Sequence, residues 1–358
     1  MSQSPSVDHP LRSAATVFDH IGAPLALIER TLRDQLVSDV ELIGALGDHV
    51  LSSGGKRLRP ALLLLTAELC GYAGPRRIQI ASAIEMLHTA TLLHDDVVDG
   101  SMLRRGRPSA NSIWDNRRAV LAGDFLYARA SSMLAEDGDV DLIEIFAATI
   151  RHMAEGELLQ LERSFDIDVT EASYYDVIDR KSASLLAAAC EAGAILGGVT
   201  RAERRRLATF GRELGLAFQL KDDALDYDTS ADTLGKTRFA DLYEGKVTLP
   251  LLLTLKRCTE SERHQIARLL KAVASSPGDH ADASIAAESF GAQTSGSSPT
   301  PDLTPIVDLV FSYRGVADTL RRAGDHIDKA LEALAAFPEG VARDALYSAA
   351  EFTVARER

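Results

Sequence analysis

Two acidic clusters of the form D-D-x-x-D dominate the chemistry open to this chain: Asp95-Asp96-Val97-Val98-Asp99 and Asp222-Asp223-Ala224-Leu225-Asp226. Each follows an apolar stretch with helical spacing, and residues four apart on a helix share a face. Asp95 and Asp99 therefore point one way, as do Asp222 and Asp226. Like charges at that spacing repel, so the arrangement costs stability unless a cation answers it. A donor set of carboxylates, with no His or Cys within the motif, suits a hard, oxygen-seeking ion such as Mg2+. Mg2+ takes one or two protein carboxylates and completes its shell with water and phosphate oxygens. Two such helices facing each other would make a jaw for a diphosphate.

A metal–diphosphate site also needs cations from the protein. Gly54-Gly55-Lys56-Arg57-Leu58-Arg59-Pro60 packs three into four residues just before a helix. A glycine pair allows close backbone approach, and a helix start favours anions. Arg104 and Arg105 follow the first acidic cluster; Lys221 adjoins the second, and Lys236 and Lys246 lie in the loop beyond it. Lys181 opens an apolar helical stretch. Any one of these alone would be an ordinary solvated charge. Their value is that they recur beside glycines and acids. His88 and His94 are six apart and fall on different helical faces, so they do not form a metal pair. The sequence has no P-loop, no G-x-S-x-G elbow and no H-E-x-x-H helix, which sets aside three common chemistries.

The elements that must position these residues are helices. Of 358 residues, 46% are hydrophobic and only 6% aromatic, a balance that favours packed helices over sheets. Helical spacing predicts elements over 24–53, 61–70, 75–99, 117–136, 139–164, 171–197, 201–229, 248–257 and 260–274, and again from 305 to the end. Residues 104–108 form a basic loop and 230–247 a polar loop, and no stretch alternates with period two long enough for a sheet. Residues 275–304, rich in Ser, Gly, Pro and Thr, are expected to be a flexible insertion in one domain spanning 1–358, with a marginal helix at most over 281–290. The net charge of -13 argues against nucleic acid as a partner. Cys70, Cys190 and Cys258 have neither metal-ligand spacing nor an even count, so buried free thiols in a cytoplasmic protein are expected. The most apolar stretch, 183–199, is interrupted by Glu191 and predicts a core helix, not a membrane span.

Taken together, Leu92-Leu93-His94-Asp95-Asp96-Val97-Val98-Asp99, Arg104-Arg105-Gly106, Gln219-Leu220-Lys221-Asp222-Asp223, Gly245-Lys246-Val247-Thr248-Leu249-Pro250 and the G-G-K-R-L-R-P segment resemble the trans-isoprenyl diphosphate synthases, or polyprenyl synthetases. The resemblance covers about 20–272 and resumes near 305. It departs in the 275–304 segment and at Ser182, where the family often has Thr. It implies an all-α isoprenoid synthase bundle of roughly ten or more helices around a deep cavity, working as a homodimer. It implies several Mg2+ ions held by Asp95, Asp99, Asp222 and Asp226, with Asp96 and Asp223 supporting. Lys56, Arg59, His88 and Arg105 match an isopentenyl diphosphate site. Arg104, Lys181, Ser182, Gln219, Lys236 and Lys246 match the allylic side. The implied catalytic set is Asp95, Asp96, Asp99, Arg104, Lys181, Asp222 and Asp223. Ala90 and Thr91, five and four residues before Asp95, stand where short-chain members carry bulky floor residues. The small Ala90 and its surroundings resemble octaprenyl-to-decaprenyl synthases, which implies a C40–C50 product for a quinone side chain. A shorter-chain synthase, a class I terpene cyclase and a non-catalytic synthase subunit are the alternatives. The second D-D-x-x-D disfavours the cyclase, and the presence of both motifs disfavours the degenerate subunit.

Overall fold

A computed structural model describes residues 20–52, 57–104, 106–228, 239–275 and 301–355. The first half runs α1 Gly22–Asp34, α2 Glu41–Ser52, α3 Leu58–Leu69 and α4 Arg76–Val98. A hairpin of β1 Leu103–Arg104 and β2 Arg107–Pro108 follows, then α5 Ala110–Trp114, α6 Asn116–Asp137 and α7 Val140–Glu162. Next come α8 Glu171–Ile178, a π-helical turn Asp179–Ala183, α9 Ser184–Leu196 and α10 Arg201–Leu225. The chain ends with α11 Ala240–Tyr243, α12 Leu249–Leu255, α13 Glu260–Ser275, α14 Thr304–Ser312, α15 Gly315–Leu334 and α16 Val341–Ala355.

The centre of the bundle follows from which helices are apolar all round, because such a helix must be covered on every side. Every residue of α3 from Pro60 to Ala67 is buried, as is α4 from Ile80 to Leu87. In α9 nine of thirteen residues are buried as well. α9 packs against α3 on one side and α10 on the other, and α10 in turn against α15. Glycines set these distances. A Cβ on Gly193 would lie 2.7 Å from the Leu63 carbonyl oxygen of α3, and one on Gly211 would lie 2.4 Å from the Leu186 carbonyl oxygen of α9. The backbones are thus closer than any side chain allows. α10 starts on a full capping box between Thr200 and Glu203, which satisfies two backbone donors at its first turn.

The structure corrects several boundaries. The single helix expected over 24–53 is two. The Ser38 hydroxyl accepts from the Val40 N–H at 3.2 Å, and Leu36 turns inward against Gly47. That turn chemistry competes with the helix although the apolar spacing continues through it. The stretch 171–197 is broken by the π-turn. The region from 305 onward is three helices, the first break marked by Arg314 in left-handed conformation, φ 59°. The expected basic loop at 104–108 holds a two-residue antiparallel ladder, with Arg104 opposite Arg107. Residues 276–300 of the expected insertion lie outside the described residues, as does the G-G-K part of the basic segment. Its C-terminal end is anchored: Leu303 is buried and the Tyr243 hydroxyl donates to the Pro301 carbonyl at 3.3 Å.

Candidate active site

Both acidic motifs sit where a helix ends. α4 stops at Val98, and the Asp99 N–H still bonds to the Asp95 carbonyl at 2.8 Å. α10 stops at Leu225, and the Asp226 N–H bonds to the Asp222 carbonyl at 3.1 Å. A helix C-terminus already carries partial negative charge. Each C-terminus therefore adds roughly half a negative charge to what its three aspartates supply.

The middle aspartate of each motif is an anchor. Asp96 is buried and accepts a hydrogen bond from Arg104 Nε at 2.7 Å. Burial pushes its carboxyl above the ordinary value while Arg104 opposes the shift. Asp223 is buried too; it accepts from the Tyr174 hydroxyl and, at 2.7 Å, from Gln219 Nε2. The Ser182 hydroxyl donates to Gln219 Oε1 at 2.7 Å, so Ser182, Gln219, Asp223 and Tyr174 form one chain of hydrogen bonds. Burial raises the Asp223 carboxyl despite these donors.

The outer aspartates face cations and one another. Asp95 keeps a little solvent contact but lies deep in the protein. Burial pushes its carboxyl up to about 6; Lys181 opposes this, while Glu157 and Asp99 add to it. Lys181 Nζ pairs with Glu157 Oε2 at 2.5 Å. Lys246 Nζ lies 3.7 Å from Asp99 Oδ2 and also pairs with Glu244. Burial would lower the Lys246 ammonium, but Asp99, Glu244 and Asp241 outweigh it, and the group is held charged. The Asp226 carboxylate accepts from the Asp241 N–H at 3.2 Å. A cavity of about 210 Å³ opens beside Lys181 and Lys246, with Ser182, Gln219, Asp223 and Asp241 also on its wall.

Lys181 and Ser182, both on the wall of this cavity, lie in the π-turn. Such turns are inserted at local cost and recur at functional sites. This one is pinched between two glycines: a Cβ on Gly156 of α7 would sit 2.8 Å from the Lys181 nitrogen, and one on Gly215 of α10 would sit 2.6 Å from the Ala183 Cα.

The structure thus brings Asp95, Asp96, Asp99, Arg104 and Lys246 into one neighbourhood, and Lys181, Ser182, Gln219 and Asp223 into the adjoining wall. Arg59 lies in the first turn of α3 and His88 on α4, two turns before Asp95, both partly buried. Ala90 is buried in the core; Thr91 is partly exposed and its hydroxyl donates to the His88 carbonyl at 2.8 Å. Lys56, Arg105 and Lys236 lie outside the described residues. Among the described residues, no three His, Cys, Asp or Glu side chains form a preassembled metal cage. The donors are nevertheless all oxygen and carry excess negative charge, which fits a hard divalent ion that draws the rest of its shell from water and diphosphate. Sequence reasoning missed Glu157, Tyr174 and Asp241. For Glu157 there was a signal, since Gly156 beside it interrupts a helical pattern, a mark of close packing or function. Asp241 and Tyr174 carried none.

The chain belongs to the polyprenyl synthetase family, whose model matches residues 40–286, and is therefore a prenyltransferase with the isoprenoid synthase fold. It is 39% identical to the octaprenyl diphosphate synthase of Escherichia coli over 93% of this chain and 96% of that one. It is equally identical to the geranyl-diphosphate-specific all-trans-nonaprenyl-diphosphate synthase of Rhodobacter capsulatus, over 91% and 93%. Among solved structures, a polyprenyl synthase of Caulobacter crescentus complexed with calcium and isoprenyl diphosphate matches with TM-score 0.84 and 40% identity, covering 98% of this chain and all of that one. No helix among the described residues is long and apolar enough to cross a membrane.

Proposed function

We propose that this protein is a cytoplasmic, long-chain all-trans polyprenyl diphosphate synthase that condenses isopentenyl diphosphate onto an allylic diphosphate to a C40–C50 product for a quinone side chain. The observation that carries the reading is that Lys246, in the segment following the second aspartate cluster, lies 3.7 Å from Asp99 of the first. Long-chain relatives and the Caulobacter complex with calcium and isoprenyl diphosphate support it.

Asp95, Asp99, Asp222 and Asp226 would hold Mg2+, which when bound neutralises the leaving diphosphate and eases C–O ionisation. Arg104, Lys181, Lys246 and Lys236 hold that diphosphate where negative charge develops, the most effective place for a fixed cation. Ser182 and Gln219 orient it, braced on the buried Asp223. Asp96 keeps Arg104 in place. Lys56, Arg59, His88 and Arg105 bind isopentenyl diphosphate so that its double bond attacks C1 of the allylic cation. A proton then leaves C2 of the isopentenyl unit, with the departed diphosphate as base, and an alkene is restored one unit longer. The apolar bundle keeps water from the cation.

The protein acts as a homodimer in this reading. α6 leaves Leu121 66% exposed and α7 leaves Leu158 62% exposed, apolar side chains that a partner copy would cover in this reading. The deciding experiment is incubation with Mg2+, isopentenyl diphosphate and farnesyl diphosphate, followed by sizing of the dephosphorylated product. A linear C40–C50 alcohol is expected; a cyclic hydrocarbon or no product overturns the proposal.

A further inference from the structure

Arg57 belongs to the G-G-K-R-L-R-P stretch, where the sequence counts it among three cations facing a diphosphate. The structure spends its guanidinium elsewhere. Nε donates to Glu29 Oε1 at 2.5 Å, and Nη1 donates to Glu85 Oε1 at 2.8 Å. Nη2 reaches the Leu51 carbonyl at 3.4 Å. Three elements therefore meet on one side chain: α1 through Glu29, the end of α2 through Leu51, and the middle of α4 through Glu85. The Glu85 side chain is only 6% exposed, and a buried carboxylate left without its partner is strongly destabilising. The Arg57 backbone is left-handed, φ 45° and ψ 40°, at the residue that caps α3. A side-chain-bearing residue keeps that conformation only where its surroundings over-determine it. Here three hydrogen bonds do so.

We propose that Arg57 is a positioning residue that fixes the isopentenyl half of the active site. Arg59 lies two residues further on, in the first turn of α3. His88 lies three residues after Glu85, on the same face of α4. The Arg57–Glu85 pair therefore sets the spacing between two side chains assigned to the same substrate, without touching that substrate itself. The inference rests on the assignment of Arg59 and His88 in the proposed function. A planar fork holds two carboxylates at once; a lysine in its place reaches one of them and forms no fork.

The test is steady-state kinetics with each substrate varied in turn. Arg57→Lys raises KM for isopentenyl diphosphate about tenfold, a modest share of the hundredfold that a 1 Å misplacement can cost. KM for the allylic diphosphate stays within about twofold. Glu29→Gln, at the more exposed partner, gives the same pattern more weakly and keeps the test open should Arg57→Lys fold poorly. A merely structural role would lower the melting temperature and leave both KM values unchanged, or raise both together, and either result overturns the inference. A wild-type chain that consumes no isopentenyl diphosphate removes the parent reading and this one with it. An active wild type in which Arg59→Ala raises that KM while Arg57→Lys and Glu29→Gln do not removes this inference alone.

Discussion

Asp95, proposed above as a metal ligand, shows how a carboxylate is held against the interests of the fold. Burial lifts it from its ordinary 3.8 to about 6. The folded protein thus binds a proton that the unfolded chain releases between those values, so stability falls as pH rises through this window. The contribution is fully present below the unfolded value and lost above about 6, a difference on the order of 2–3 kcal/mol. Asp95→Asn, which cannot ionise, is expected to melt higher than wild type at pH 7 in chelator, with the gap closing toward pH 4.5. The same variant should lose prenyl transfer by a thousandfold or more, because the ion site loses a charge. Mg2+ binding to wild type should strengthen as pH rises through about 6, since the carboxyl must shed its proton first; titration calorimetry at pH 5 and pH 7 measures this. At this scale the sequence shows which aspartates share a helical face but not what each one touches. The spacing of Asp95 and Asp99 was legible, whereas the anchoring of Asp96 by Arg104 and of Asp223 by Tyr174 depends on partners 8 and 49 residues away.

Among the elements, the π-turn is the most demanding. It interrupts the α-helical ladder over 179–183, where Lys181 and Ser182 line the cavity. Gly156 gives it room. Gly156→Ala places a methyl 2.8 Å from the Lys181 nitrogen, which forces the turn outward and drags Lys181 from Glu157 and Asp95. An activity loss of roughly 10- to 100-fold is expected, with destabilisation of about 1–3 kcal/mol; kcat and a thermal melt check the two parts. Apolar spacing foretold the helix over 171–197 but not this turn, because the interruption is imposed by close approach of α7 and α10 and leaves the apolar phase nearly intact. The split at 35–40 escaped for a related reason: Leu36 keeps the helical phase while its side chain packs back on Gly47. Elements built on all-round burial, such as α3 and α4, were readable because nothing local contradicts them.

For the molecule as a whole, two expectations concern reach and assembly. Ala90 lies buried one helical turn before the first motif. If the growing chain passes Ala90, Ala90→Phe should shorten the product by several isoprene units, as read by chromatography of the dephosphorylated alcohols; unchanged length removes Ala90 from the chain-length role. Light scattering should give about twice the 38.6 kDa chain mass, and Leu121→Glu should shift it toward the monomer. The two helix C-termini that carry the motifs have one more consequence. In the proposed site, a cation that answers carboxylates from both ends would tie α4 to α10, so ligand binding and folding stability are linked. Melting temperature should therefore climb in steps, first with Mg2+ and then with each diphosphate, by an amount set by occupancy. A panel of allylic diphosphates of graded length, ranked by the melting shift each produces, would reveal the preferred primer without a single turnover.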